Sequence, residues 1–334
     1  MIPGYVELSG EGQELARCEA VAAAEALGGS GGRSTPEFPS LVSVEIPDLP
    51  TLERLAGRLS LARRCLVPLT SEPAIGPRLT AEGRTGGSAA VRRLGSPSGS
   101  SDPTILAAGR RLVAAGGRID LRHPERRFWL GRDSTGRDWL FEERGTIDRS
   151  AMNERRMPRL PFQRPVSLPP RLARAAANLA RVQEGSRVLD PFLGTGALLA
   201  EAGLLGARLY GVDRDPEMVR GALRNLAHLG VAAEELLVGD AAEVDFDDPH
   251  VRFDAVLTDA PYGRSSSTGG EPVNRLIQHV VPRWARRLTR GGRVVLIVPK
   301  GSPEIPGIGR LAGSPSLRVH RSLTREFRVY EPVT

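Results

Sequence analysis

Arg187-Val188-Leu189-Asp190-Pro191-Phe192-Leu193-Gly194-Thr195-Gly196 is the stretch that decides the fold of this chain. A short apolar run ends in an acid, two glycines follow close behind, and Ala197 to Leu205 then keeps helical spacing. Strand, glycine loop, helix is the turn that lets a backbone come close to a nucleotide, because glycine adopts positive φ with no Cβ in the way. No third glycine completes G-x-G-x-x-G, so the loop is not the dinucleotide fingerprint.

Downstream, Phe253-Asp254-Ala255-Val256-Leu257 is apolar enough for a buried strand. Thr258-Asp259-Ala260-Pro261-Tyr262-Gly263 follows at its C-terminal edge, where open α/β sheets place their ligands. Asp259 offers a carboxylate, and Pro261 biases Ala260 toward an extended backbone whose carbonyl can face outward as a further acceptor. Two acceptors side by side suit an NH2 group. Tyr262 adds a flat face for stacking on a nucleobase. Taken alone, the same residues also describe a strand closed by a tight Pro-Tyr-Gly turn.

Around these motifs strands and helices alternate. The spacing predicts strand 187–190, helix 197–205, strand 208–212 ending at Asp213 and helix 216–228 begun by Asp215-Pro216. Strand 236–238 ends at Gly239-Asp240, and strand 253–257, helix 272–288, strand 293–298 and a hairpin of 317–323 with 325–330 complete the pattern. This alternation predicts a mostly parallel, doubly wound sheet. Asp190, Asp213, Asp240 and Asp259 then stand at four strand ends. Asp213 lies at the separation from Asp190 at which such folds put a carboxylate on ribose hydroxyls, and Asp240 is placed to accept from an adenine amino group. A helix N-cap or a turn is the structural alternative for either.

Upstream, residues 1–69 read as a small α+β unit, with a helix over Glu11 to Leu27, a loop over 28–40, strands at 41–46 and 65–69 and a helix at 49–61. A second α+β unit covers 70–144. Its helix Asp102 to Ala115 has Asp102 as N-cap and Pro103 at the first position, and its strands fall at 88–94, 118–121, 127–130 and 139–142. Residues 145–166 place Pro158, Pro161 and Pro165 among Arg149, Arg155, Arg156, Arg159 and Arg164. That proline density predicts an extended surface connector. Ser167 then N-caps a helix running through Val182, and 167–334 form the last domain.

The chain has 334 residues, with 46 Lys+Arg against 39 Asp+Glu. Lys300 is the only lysine, so the basic excess is made of guanidinium forks, which suit phosphate. Arg110, Arg111, Arg118, Arg122, Arg126 and Arg127 crowd a short stretch opposed only by Asp120 and Glu125. Such a face can track a phosphate backbone, and Arg155 and Arg156 of the connector can add to it; an ordinary solvated surface is the alternative. Two cysteines, Cys18 and Cys65, and five histidines without ligand spacing predict neither a disulfide framework nor a metal site. No apolar run of about eighteen residues and no cleavable leader is present, which predicts a soluble, cytoplasmic protein, and a monomer is expected.

The glycine loop after Asp190 and the D-x-P-Y-G at the later strand, in that order, resemble the S-adenosylmethionine-dependent amino-methyltransferases. Ile119-Asp120-Leu121 with His123-Pro124 resembles the THUMP domain of RNA-modifying enzymes. Phe162, Pro165-Val166-Ser167-Leu168-Pro169-Pro170-Arg171-Leu172-Ala173-Arg174, Asn178-Leu179-Ala180 and the two motifs together resemble the archaeal tRNA (guanine-10) N2-methyltransferases over residues 160–334. That resemblance implies a ferredoxin-like/THUMP α+β region that binds tRNA, followed by a Rossmann-like, seven-stranded methyltransferase domain. It implies S-adenosyl-L-methionine as cofactor, held by Phe162, Ser167, Asp190, Pro191, Phe192, Gly194, Thr195, Gly196, Asp213 and Asp240. It gives the target amino group to Asp259, Ala260, Pro261 and Tyr262. Ala260 stands where the family usually has proline, and Leu193 where a cysteine is frequent; the first loses ring rigidity but keeps the backbone carbonyl. The rival readings are an amino-methyltransferase of ribosomal RNA or DNA, and a non-catalytic RNA-binding protein with a vestigial cofactor fold.

Overall fold

The computed structural model describes residues 1–34, 38–70, 87–95, 102–114, 116–156, 159–165, 167–260, 273–321 and 323–332. Its elements begin with β1 (Ile2–Leu8), α1 (Gln13–Ala26), β2 (Ser30–Ser34), β3 (Leu41–Ile46), α2 (Leu49–Arg58), β4 (Ala62–Thr70), β5 (Ser88–Arg93), α3 (Pro103–Ala114), β6 (Arg118–Ile119), β7 (Arg126–Arg132) and β8 (Asp138–Thr146). They continue with α4 (Arg149–Glu154), α5 (Pro170–Leu179), β9 (Arg187–Asp190), α6 (Ala197–Gly203), β10 (Arg208–Asp213), α7 (Pro216–His228), β11 (Glu235–Val238), β12 (Phe253–Asp259) and α8 (Val273–Ala285). The last strands are β13 (Leu288–Pro299), β14 (Arg310–Gly313), β15 (Ser316–His320) and β16 (Leu323–Glu331). Two compact units result: 1–10, 27–57 and 62–147 make the first, and 11–26, 58–61 and 148–334 the second.

The first unit is built on one sheet of order β2-β3-β1-β4-β8-β7-β5-β6, with strands of both 1–69 and 70–144 joined where β4 runs antiparallel to β8. Its core has two clusters, one of Phe38, Leu41, Leu66, Trp129 and Phe141 and one that includes Ala89, Val91, Leu112, Phe128 and Leu130. Asp102 caps α3 as its sequence position predicts, accepting the Thr104 N–H at 2.8 Å, and Arg93 pairs with it at 2.5 Å. Residues 30–34, expected in a loop, form β2 instead. Ser30-Gly31-Gly32 has no strand propensity of its own, and the ladder with β3 supplies the order.

In the second unit the order is β11-β10-β9-β12-β13-β16-β14, the first five strands parallel and β16 antiparallel to β13. Val188, Leu189, Val256, Leu257 and Val294 to Val298 are all buried, as continuous apolar strands of a parallel sheet must be when both faces are covered. The chain lays β10 and β11 on one side of β9, then returns to lay β12 on the other. That reversal opens a crevice at the C-terminal ends of β9 and β12.

This sheet has eight strands where seven are expected, because the stretch 310–313 pairs as β14 and β15 pairs beside it on the same strand, β16. Gly313 faces Val329 and Ser316 faces Glu326, so the register carries straight through. The two pieces are one edge strand broken at Ser314-Pro315, where proline has no N–H to give the ladder, although its carbonyl still accepts the Phe327 N–H at 2.9 Å.

Two local expectations are corrected. The stretch 145–166 is not extended throughout: Asp148 accepts the Ser150 and Ala151 N–H groups, caps α4 and lets Met152 bury. The N-cap of α5 is Pro169, not Ser167, and the helix ends at Leu179. Two consecutive prolines, Pro169 and Pro170, fit the first turn because the N–H groups they lack would have no partner inside the helix.

Candidate active site

Asp190 closes β9 with its side chain 2% exposed. It accepts the Phe192 N–H at 3.0 Å, and that bond folds the chain into the glycine loop. Gly194 (φ 52°) and Gly196 (φ 79°) both occupy the left-handed region. A Cβ on Gly196 would lie 3.0 Å from the Ala222 Cβ, so this glycine also lets α6 approach α7. A Cβ on Gly194 would meet nothing closer than 3.9 Å, leaving the loop open on that side. Leu193 is buried, donates its N–H to the Val212 carbonyl at 2.9 Å and packs beside Gly211, so it acts as a core residue beneath the loop.

Asp213, at the end of β10, holds the loop from the other side. Its carboxylate accepts the Gly194 N–H at 2.8 Å and the Asp215 N–H at 2.9 Å. Burial raises its pKa, and those two N–H groups oppose the rise. Asp240 follows β11 by two residues. Burial works to raise its carboxyl, but the Ala242 N–H and the Arg214 guanidinium prevail and keep it low.

The remaining loop contacts come from before α5 and from α7. Ser167 Oγ and Thr195 Oγ1 share a hydrogen bond of 2.9 Å. Asn225 on α7 accepts the Phe162 N–H at 2.9 Å and donates to both the Phe162 and the Thr195 carbonyl at 3.0 Å. The Phe162 ring lies on Gly221, where an added Cβ would be 2.1 Å from the ring. Asn225 and Gly221 are structural supports of Phe162 and the loop that motif reading missed, since an Asn and a Gly inside an amphipathic helix carry no separate signal. Pro191 is buried and Phe192 half-buried against the core.

Asp259 ends β12 beside this loop. Its side chain is 17% exposed, Arg325 Nη2 lies 3.3 Å from Oδ2, and Oδ1 is buried with no hydrogen-bond partner. Burial pushes its carboxyl up to about 6 while the Arg325 guanidinium pulls it down. Asp190 is pushed further, to about 8, first by burial and also by the charges of Asp213 and Asp259. The Phe192 N–H and the Thr258 hydroxyl work against that rise. Ala260 is buried and pinned by its N–H to the Ile297 carbonyl at 3.2 Å. Pro261 and Tyr262 lie outside the described residues. Asp190, Asp213 and Asp259 thus converge at the strand-order reversal.

Such a set fits a cationic ligand that also carries hydroxyls: acidic acceptors in a crevice, an open glycine loop, and one orphaned carboxylate oxygen. S-adenosylmethionine, with a sulfonium, an ammonium and a ribose, has that chemistry. Among the described residues no group of His, Cys, Asp and Glu is arranged to hold a metal, and no helix is long and apolar enough to cross a membrane.

The arginines singled out by sequence fall into two sets. Arg110, Arg111, Arg122 and Arg127 are exposed on the first unit, whereas Arg126 is drawn to Glu142 at 2.8 Å and lies over Phe128. Arg118 and Arg126 flank β5 from opposite sides. In the second unit Arg156 is exposed, but Arg155 is not a surface cation. Its guanidinium grips the buried Glu201 at 2.7 and 3.2 Å and the Ala151 carbonyl at 2.9 Å, which removes it from any phosphate-binding set.

Comparison with known proteins places these observations. Residues 158–303 match the UPF0020 family, an RMKL-like methyltransferase domain. A tRNA (guanine(10)-N2)-dimethyltransferase of Methanothermobacter thermautotrophicus is 39% identical over 197 residues, 58% of each chain. One from Pyrococcus abyssi is 34% identical over 235 residues, 66% of each. A "Probable tRNA (guanine(10)-N2)-dimethyltransferase" of Methanothermococcus thermolithotrophicus is 32% identical, and the match covers 98% of it. The chain belongs to this methyltransferase family. It spans between about half and two thirds of the length of the first curated relatives it matches. The crystal structure of TrmN from Thermus thermophilus shares the fold: TM-score 0.51 at 20% identity over 99% of this chain and all of that one.

Proposed function

We propose that this chain methylates the exocyclic N2 of guanosine in tRNA, at position 10, with S-adenosylmethionine as the methyl donor. The observation that carries the reading is the Asp259 carboxylate, which ends β12 beside the glycine loop with one buried oxygen lacking a partner. The family relatives named for that reaction give the target. The cofactor supplies an electrophilic methyl on its sulfonium. Asp190 and Asp213 face its positive charge and ribose, Ser167 and Thr195 line the loop, and Phe162 supports it from beneath. Asp240, with Oδ1 on the Ala242 N–H and Oδ2 on Arg214, keeps lone pairs for the adenine amino group.

Guanine N2 is a weak nucleophile because its lone pair is delocalised into the ring. Asp259 Oδ1 and the Ala260 carbonyl accept its two N–H bonds and direct the lone pair at the methyl. Bound S-adenosylmethionine would give up its methyl to N2 and keep the bonding pair on sulfur, and the surplus proton on N2 passes to the Asp259 carboxylate and on to solvent. Most of the acceleration comes from holding two reactants in line and from acceptors that tighten as charge grows on N2. Tyr262, two positions after Ala260, gives the unstacked base an aromatic face. Exposed Arg110, Arg111, Arg122, Arg127 and Arg156 contribute phosphate contacts. Incubating unmodified tRNA with the protein and labelled cofactor, followed by nucleoside mass spectrometry, tests the reading. N2-methylguanosine or its dimethyl form mapped to position 10 is expected, and label found only in DNA or ribosomal RNA would refute it.

A further inference from the structure

Asp259 has a partner that the motif around it does not contain. Asp259 pairs in register with Ile297 of β13, and Ile297 with Phe327 of β16. Arg325 lies two residues before Phe327 and therefore on the same face of the sheet as both. From there it reaches across β13 with its side chain 8% exposed, and its Nη2 stops 3.3 Å from Asp259 Oδ2. The carboxylate is thus held by one oxygen while the other, Oδ1, is left open.

We propose that Arg325 is a positioning residue for methyl transfer: by fixing Asp259 through Oδ2 and opposing its charge, it keeps the carboxylate ionised with Oδ1 aimed at the target amino group. The inference rests on Asp259 acting as the amino acceptor. Among the described residues, the charged groups acting on this site are Asp190, from the end of β9, and Arg325, from β16. Burial favours the neutral acid at Asp259, and a charge on Asp190 would do the same; Arg325 is the counterweight. A neutral Asp259 would lose the negative charge that attracts the developing positive charge on N2, and it would have no room for the departing proton. Nothing about Arg325 is visible in the D-A-P-Y motif, because the residue arrives from the far end of the chain on an antiparallel strand.

The test is the pH profile of single-turnover methylation for the full chain and two variants. Activity requiring ionised Asp259 rises with pH through its pKa. Removing a cation at this distance moves that rising limb to higher pH by about 1 to 2 units. Arg325→Gln should therefore lose about two- to tenfold at pH 7, recover toward the wild-type rate near pH 9, and keep its cofactor affinity within about twofold. Arg325→Lys should restore most of the pH 7 rate, and if the glutamine variant fails to fold, a smaller shift in the lysine variant is the expected result. An equal loss at every pH, or an unmoved profile, overturns the proposal. Carbon NMR titration of the Asp259 carboxyl in wild type and variant gives the same readout without turnover, and an unmoved titration also overturns it. A wild-type protein that transfers no methyl to tRNA while the Asp259 titration still shifts would instead refute the substrate reading.

Discussion

The second unit buries carboxylates in two ways. Glu19 and Glu201 are sunk in the body of the unit and fully served. Glu19 accepts from the Ser60 N–H and hydroxyl, the Leu61 N–H and the Asn178 amide at 2.6 to 2.9 Å, and Glu201 is clasped by Arg155 and Arg174. At the C-terminal ends of their strands Asp190 is as buried and Asp259 is 17% exposed, yet Asp190 accepts one backbone N–H and Asp259 has one ion pair at 3.3 Å. A buried charge with all its bonds made contributes to holding the fold, and one with bonds unmade is poised to receive a ligand.

The largest expected effect breaks the saturated side. Glu201→Ala leaves two guanidinium groups inside the unit without their anion and should lower stability by about 3 to 5 kcal/mol, read from urea unfolding. A loss under about 1 kcal/mol would mean that water replaces the carboxylate and that the contrast is false. On the unsaturated side, Asp259→Ala should do the reverse. The melt falls by less than that of the Glu201 variant, since one guanidinium at 3.3 Å loses its anion where Glu201 serves two, while the methylation rate drops about a hundredfold, roughly 3 kcal/mol of transition-state stabilisation.

A subtler test uses protons. Asp190 and Asp259 have folded pKa values of about 8 and about 6 against an ordinary 3.8. Between those limits the folded protein binds more protons than the unfolded chain, so stability without cofactor should fall as pH rises from about 4 to 8. Asp190→Asn should flatten that slope, and thermal melts across the range would show it. The smallest effect concerns the exposed guanidiniums of the first unit. Replacing Arg111, Arg122 and Arg127 together should weaken tRNA binding and reduce its salt dependence by up to about 3 in the log-log slope, with cofactor affinity unchanged.

The contrast explains what the sequence disclosed. Strand ends and loops are written locally: apolar runs, glycines with positive φ, and Asp at the edge all lie within a few positions of one another, so β9, β10, β12 and the four acids were legible. The partners that decide each acid's state come from far along the chain. Arg325 meets Asp259, Arg155 meets Glu201 and Asn225 ties Phe162 to Thr195, and none of these pairs has a periodicity to read. The same limit hid β2 and β14, edge strands whose Gly-rich or Pro-broken sequences are ordered by their neighbours.

Helix α1 belongs to the second unit, packed on α5 with Glu19 at its centre, although 143 residues of chain separate Ala26 from Pro170. A ribosome adding about 5 to 20 residues per second needs roughly 7 to 30 s to cover that interval. Throughout it the nascent helix has its alanine face and its carboxylate in water. All of the first unit's strands leave the tunnel before α5 does. A gene segment opened at residue 148 would omit it and leave the Asn178 amide without Glu19.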